Sequence, residues 1–221
     1  MRVLGDDLRD EIDSIVGKYP NSRSATLPLL FLVQSVDGYV SEDGMKDVAD
    51  ILGLTSAQVL AAASFYSMLK RRPQGEYLIS VCRNISCTHL GSRRVLATLE
   101  ERLGVAAGGT TADGIFSLEA AECLATCDGA PSLQINYEDF YRVTPESAVE
   151  LVNKLENGQT LQSERGGTVQ SAKATAREIA LAGRRIPEAG VEDARTIGGE
   201  SPRADTAPGF RPKVEGESQD A

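Results

Sequence analysis

The chain contains four cysteines, and all of them fall within one short stretch of the sequence. They are Cys82, Cys87, Cys123 and Cys127. Four residues separate the first pair, three separate the second, and 35 residues lie between the pairs. The N-terminus, MRVLGDDLRDEID, lacks the apolar segment of an export signal. We therefore expect a reducing cytoplasm, where clustered cysteines indicate a metal or redox site rather than disulfides.

The cysteine spacing distinguishes between several kinds of cysteine site. Structural zinc favours pairs that are two to four residues apart, most often two, so zinc is possible here but not favoured. Thioredoxin chemistry needs Cys-x-x-Cys, which neither pair provides. A plant-type ferredoxin needs a further cysteine at position 90, where this chain has Leu90. Four buried cysteines without any ligand remain a further possibility.

A [2Fe–2S] cluster fits the spacing best, because it takes two thiolates on each of two irons. The cluster and its thiolates carry negative charge, which helix N-termini and cations stabilise. We expect Arg83 and the segment 91–94, Gly-Ser-Arg-Arg, to supply this stabilisation. Gly129-Ala130-Pro131 should then turn the chain back into a strand after the last cysteine.

The composition excludes several classes of protein. The 221 residues are 41% hydrophobic, which is enough to build a core. A net charge of −9, no Trp and only 5% aromatic residues argue against nucleic acid as a partner. The most apolar stretch, 25–36, is too short and too interrupted to span a bilayer, so we expect no direct membrane insertion.

The spacing of apolar residues and the positions of turn-forming residues such as Gly and Pro divide the chain into three parts. Residues 1–70 predict a bundle of four short helices, with Ser41 and Thr55 as N-caps of the third and fourth. Residues 71–158 predict a small α/β domain in the order β-α-β-β-β-α. Residues 159–221 hold eight Gly, four Pro and one aromatic residue, which predicts an extended or disordered tail. Within that tail, 171–182 could form a short helix.

Four strands, one loop and two helices are expected in the second part. A helix should follow the cysteine loop, and a second should begin after Thr144 with Pro145 in its first turn. The predicted strands cover residues 76–81, 115–118, 133–136 and 140–143, and the predicted loop covers 82–89.

Two strings of sequence carry a family resemblance. VCRNISCTHLG and CLATCDGAP resemble the thioredoxin-like [2Fe–2S] ferredoxins, and most closely the small iron–sulfur subunit (24 kDa type) of respiratory complex I, the NADH:quinone oxidoreductase. LLFLVQSVDGYVS and SFYSML are similar to the helical N-terminal domain of that type, and LQINYEDFYRVTPESAVELVNKL extends the likeness downstream. The resemblance covers residues 6–157 and implies a helical bundle followed by a thioredoxin-like ferredoxin domain.

The resemblance implies that Cys82, Cys87, Cys123 and Cys127 bind one [2Fe–2S] cluster in the NADH dehydrogenase module of a proton-pumping complex. Such a subunit passes single electrons and has no catalytic residue of its own. Because NADH delivers two electrons together, some group must convert between two-electron and one-electron steps, and a flavin is the usual choice. The Gly-rich segment 104–114 matches no nucleotide-binding motif. FMN and NADH are therefore expected on a partner subunit.

The resemblance carries further expectations about partners, and the residues themselves add others. The partners would be the flavin- and NADH-binding subunit and other subunits of the peripheral arm, located on the cytoplasmic side of the plasma membrane. Equivalent subunits serve as diaphorase partners of NAD-linked hydrogenases and formate dehydrogenases, and a zinc-binding structural module is a third hypothesis. His89 is expected to lie in a loop near the cluster. Ala125 stands where the family commonly has glycine, and the 159–221 tail has no typical counterpart.

Overall fold

The computed structural model describes residues 2–181, which form eight α-helices and a four-stranded sheet. Within this part, the predicted order of elements is confirmed, and one further short helix is present. The α-helices are α1 (Arg9–Val16), α2 (Thr26–Asp37), α3 (Glu42–Leu52), α4 (Ser56–Phe65), α5 (Ile85–His89), α6 (Ser92–Leu103), α7 (Pro145–Glu156) and α8 (Ala172–Leu181). The strands are β1 (Tyr77–Cys82), β2 (Phe116–Ala121), β3 (Leu133–Ile135) and β4 (Glu138–Phe140).

The ends of the bundle helices follow from local capping. Ser41 accepts a hydrogen bond from the backbone N–H of Gly44, and Thr55 forms a reciprocal capping box with Gln58. Gly38 and Gly53 end α2 and α3 in the left-handed conformation that glycine adopts most easily. These caps set the sharp turns between helices, which let their apolar faces share one core. No single helix within residues 2–181 is long and apolar enough to cross a membrane, and α3 and α4 reach that length only as a pair bent by 119°.

The sheet has the strand order β2-β1-β3-β4. β1 and β2 are parallel, while β3 pairs antiparallel with both β1 and β4. α6 connects the two parallel strands, as a parallel pair requires. α6 and α7 cover one face of the sheet with a core that includes Ile79, Leu118, Leu133 and Val152. The opposite face is more polar: Ser80 donates a hydrogen bond to Glu119, and Lys70 pairs with Glu119 at 2.7 Å.

Several predicted element boundaries are wrong. The strand expected at 115–118 is β2, which extends to Ala121. The strand expected at 140–143 is β4, which occupies Glu138–Phe140, because Asn136 and Tyr137 both adopt positive φ and close a two-residue hairpin turn. Residues 85–89, expected to be loop, form the short helix α5. The Asn84 side chain caps this helix by accepting from the N–H of Ile85. Five residues are too few for a helical periodicity to show in a sequence.

The segment 159–181 is folded, so the tail predicted to begin at 159 does not begin there. Leu161 and Val169 are buried in the core of the sheet domain. α8 packs against α2 and buries Ala176 and Ala180 in the bundle core, which makes it a fifth helix of the bundle. The short helix expected within 171–182 is thereby confirmed. The rest of the predicted tail, 182–221, lies outside the described residues.

Candidate [2Fe–2S] site

Both cysteine loops leave the sheet at the same edge. Cys82 is the last residue of β1 and is in register with Ala121, the last residue of the parallel strand β2. Each strand therefore delivers its loop to the same end of the sheet: α5 carries Cys87, and the chain after β2 carries Cys123 and Cys127. The N–H of Arg83 donates to the carbonyl of Ala121 at 2.8 Å, which holds the two loops together.

The four thiols differ in exposure. Cys82 and Cys87 are buried, whereas Cys123 and Cys127 are exposed at the surface. Burial raises the pKa of the Cys82 thiol, and the neighbouring Cys87 thiol raises it further, while the backbone N–H groups of Asn84 and Leu124 act in the opposite direction. Cys82 Sγ also lies 3.9 Å from the carbonyl oxygen of Glu122, so the second loop approaches this sulfur.

The second pair is linked to the first through Cys127. Partial desolvation raises the pKa of the Cys127 thiol, and Cys123, Cys87 and Asp128 raise it further, in that order. The Cys82 and Cys127 thiols therefore retain their protons near neutral pH in the absence of metal, and metal binding would displace them. Within residues 2–181, no three side chains of His, Cys, Asp or Glu surround a single metal position.

Two buried hydroxyl groups support the cysteines, and sequence reasoning did not identify either. Ser132 Oγ lies 3.6 Å from Cys87 Sγ and accepts a hydrogen bond from Thr126 Oγ1 at 2.7 Å. The carbonyl of Ser132 also accepts from the N–H of Cys82 at 3.2 Å. The signal in the sequence was weak, because Thr126 and Ser132 lie between two predicted strands, where hydroxyl residues are common in turns.

Comparison with known proteins identifies the family. Residues 12–156 match the family model described as thioredoxin-like [2Fe-2S] ferredoxin. The chain belongs to this family. It is 46% identical over 174 residues to the E subunit of NADH-quinone oxidoreductase from Mycobacterium tuberculosis (strain ATCC 25618 / H37Rv), which covers 78% of this chain and 69% of that protein. It is 34% identical over 160 residues to NADH-quinone oxidoreductase subunit 2 of Thermus thermophilus, covering 71% and 88% respectively. These relatives confirm the resemblance to the small iron–sulfur subunit of complex I.

A solved structure extends the comparison to the fold of this ferredoxin. The crystal structure of NAD+-reducing [NiFe]-hydrogenase in the air-oxidized state aligns with a TM-score of 0.53 at 21% identity. The alignment covers 59% of this chain, and the chain spans only 23% of the hydrogenase chain. At this identity the likeness shows a shared fold.

The ferredoxin loop that carries the second cysteine pair has an unusual backbone. Ala125 adopts a φ of +59°, the left-handed region that favours glycine, and its N–H donates to Cys123 Sγ at 3.4 Å. Gly129 lies directly against the ring of Tyr141, and an added Cβ would come within 2.3 Å of the ring. The chain then turns back into β3 at Leu133, which confirms the turn predicted at 129–131.

The charged residues predicted around the site have mixed outcomes. Arg83 pairs with Glu122, so it bridges the two cysteine loops as a cation close to the site. Arg93 and Arg94 are exposed at the start of α6, and His89 is exposed at the end of α5 rather than in a loop. Of the three arginines predicted to stabilise the site, Arg83 is therefore the one that contacts a residue of the second cysteine loop.

The residues present suit a [2Fe–2S] cluster. Two sulfurs come from β1 and α5, two come from the second loop, and both loops leave the same end of the sheet. Backbone N–H groups from both loops approach the sulfurs, as a negatively charged cluster requires. Cys82, Cys87, Cys123 and Cys127 would hold the cluster, which supplies reversible one-electron chemistry when bound.

Proposed function

We propose that this chain is the electron-transfer [2Fe–2S] subunit of a proton-pumping NADH:quinone oxidoreductase. In this proposal Cys82, Cys87, Cys123 and Cys127 bind the cluster, which exchanges single electrons with the flavin of a partner. The observation that carries it is that the two loops with the cysteine pairs begin side by side at one end of the sheet. The relatives from NADH-quinone oxidoreductases support the assignment to this complex.

The exposed part of the site supports electron exchange with a partner. Cys123 and Cys127 are at the surface, so a redox group on another subunit can approach them without unfolding the loop. Ile85 and Leu90 flank Cys87 and leave large apolar side chains 69% and 60% exposed. We propose that the flavin- and NADH-binding subunit covers these residues, because exposed apolar groups around a functional site are typical of interfaces.

The first experiment is spectroscopy of the anaerobically purified chain with iron, sulfide and zinc quantified. Equal iron and sulfide, visible absorption bands and one binuclear EPR signal after reduction are expected. Cys123→Ser should lose or strongly perturb that signal. Thr88→Ser, in the first loop, keeps the hydroxyl that bonds to the Arg83 carbonyl and should leave it unchanged. Stoichiometric zinc without colour would overturn the proposal and favour a structural module.

Co-purification tests the partner. Ile85→Ser together with Leu90→Ser should reduce the amount of flavoprotein recovered with this chain. Leu60→Ser alters an exposed leucine on α4, 42% exposed, and serves as the control that should retain the partner. Equal recovery with both variants would contradict docking over Ile85 and Leu90.

The alternative is the equivalent diaphorase subunit of an NAD-linked hydrogenase or formate dehydrogenase. The fold that this chain shares with the NAD+-reducing hydrogenase agrees with this alternative. The identity of the co-purified subunits separates the two hypotheses: quinone-reductase membrane subunits support the first, and a nickel or molybdenum enzyme supports the second.

A further inference from the structure

A charged residue from the C-terminal segment reaches the second cysteine loop. Arg165 forms an ion pair with Asp128, which directly follows Cys127 in the chain. Its guanidinium also lies 5.2 Å from the centre of the Tyr141 ring. Arg165 lies beyond residues 12–156, the part of the chain that matches the family model.

Arg165 is held by a fixed turn rather than by a loose surface contact. Glu164 accepts a hydrogen bond from the N–H of Tyr141 at 2.7 Å. The buried Glu138 carboxylate accepts from Ser163 Oγ and from the N–H of Gly167, both at 2.8 Å. These bonds anchor both sides of the turn to β4 and the residues after it, so Arg165 is presented to Asp128 by a built structure.

We propose that Arg165 is a positioning residue that neutralises the charge of Asp128 beside the cluster and so sets the reduction potential of this subunit. The inference depends on the proposed function, because it requires Cys127 to be a cluster ligand. Reduction adds one electron from an external reductant, with no bond made or broken. A carboxylate without a counter-charge near the ligands repels the added negative charge, and a cation beside the carboxylate cancels this repulsion.

The position of Asp128 makes its charge effective at the site. It is one of the charges that act on the Cys127 thiol. Both side chains of the ion pair are more than half exposed, so the pair should add little to folding stability. The expected effect of the pair is therefore on the potential and not on the amount of folded protein.

The test is an anaerobic redox titration of the full chain, followed by EPR. Arg165→Gln should shift the potential to more negative values, and Asp128→Asn should shift it to more positive values. The double variant should return close to the unmodified chain, and Arg165→Lys should stay near it. Arg9→Gln breaks a similarly exposed pair with Asp13 on α1 and should change nothing.

Each outcome decides the proposal. Shifts of opposite sign that cancel in the double variant support it. Unchanged potentials, or shifts of the same sign in the two single variants with or without loss of iron, would overturn it and assign the ion pair a structural role only. If the unmodified chain contains no iron and sulfide, the proposed function itself fails and the inference fails with it.

Discussion

Ser132 Oγ lies 3.6 Å from the sulfur of Cys87, and both side chains are almost completely buried. The serine oxygen already accepts a hydrogen bond from Thr126, so its own proton is available to the sulfur. A cysteine that binds metal is a thiolate and can only accept, which makes Ser132 the donor. Hydrogen bonds to the sulfurs are among the factors that set cluster potentials.

We predict that Ser132→Ala makes the reduction potential more negative by roughly 40 mV, equivalent to about 1 kcal/mol for a lost hydrogen bond in a one-electron couple. A redox titration of the purified chain measures it. Ser117→Ala removes an equally buried serine that bonds to Gly75 instead, and it should lower stability without moving the potential. An identical potential in both variants would contradict the hydrogen bond to sulfur.

The left-handed backbone of Ala125 gives a second prediction. Glycine adopts a φ of +59° without the steric cost that a Cβ imposes, so Ala125→Gly should stabilise the cluster-free chain by about 1 kcal/mol. Denaturant unfolding measures the change. Ala61→Gly, in the exposed middle of α4, should have the opposite sign and lose about 0.5–1 kcal/mol. Destabilisation by both substitutions would show that Ala125 is not strained.

Local signals account for the parts of the fold that sequence predicts well. Ser41, Thr55 and Thr144 are predicted as helix caps, and each one accepts the expected backbone hydrogen bond. The cysteine spacing likewise pointed to four residues whose two loops leave the sheet at the same end. These features depend on residues a few positions apart, or on a spacing that is specific to one family.

Long-range contacts account for what the sequence did not predict. Ser132 approaches Cys87 across 45 positions, and Arg165 reaches Asp128 across 37. Residues 159–221 are polar on average, and this average gave no indication of a folded segment. A few apolar residues of 159–181, including Leu161, are nevertheless buried in the cores of the two domains. An average over 63 residues cannot reveal a short segment that folds against the rest of the chain.

The segment 159–181 predicts a measurable contribution to stability. Leu161 is only 5% exposed in the core of the sheet domain, so Leu161→Ala should destabilise the chain by about 2–4 kcal/mol. Denaturant unfolding measures this. Gln159→Ala, at an exposed position of the same segment, should change stability by less than about 0.5 kcal/mol.

Truncation provides a stricter test of the same segment. A chain ending at Gly158 should be less stable than a chain ending at Leu181. The shorter chain loses the burial of Ala176 and Ala180 in the bundle, together with the ion pair between Arg177 and Glu11. Equal stability of the two truncated chains would favour a tail that begins at 159 after all.

The turn residue Tyr137 predicts how stability changes at alkaline pH. Burial, reinforced by the negative charge of Glu119, raises the pKa of Tyr137 above its usual value. Its hydroxyl donates to the Met68 carbonyl at 3.2 Å, and Lys70 pairs with Glu119 nearby. A raised native pKa contributes stability that is present below about pH 10 and is lost as the pH rises through the native value.

The free energy of unfolding should therefore fall less in Tyr137→Phe than in the unmodified chain between about pH 8 and about pH 11. The other raised groups, such as the Cys82 thiol, are common to both chains and cancel in this comparison. Parallel pH profiles from urea unfolding would show that Tyr137 ionises as freely in the native state as in the unfolded chain.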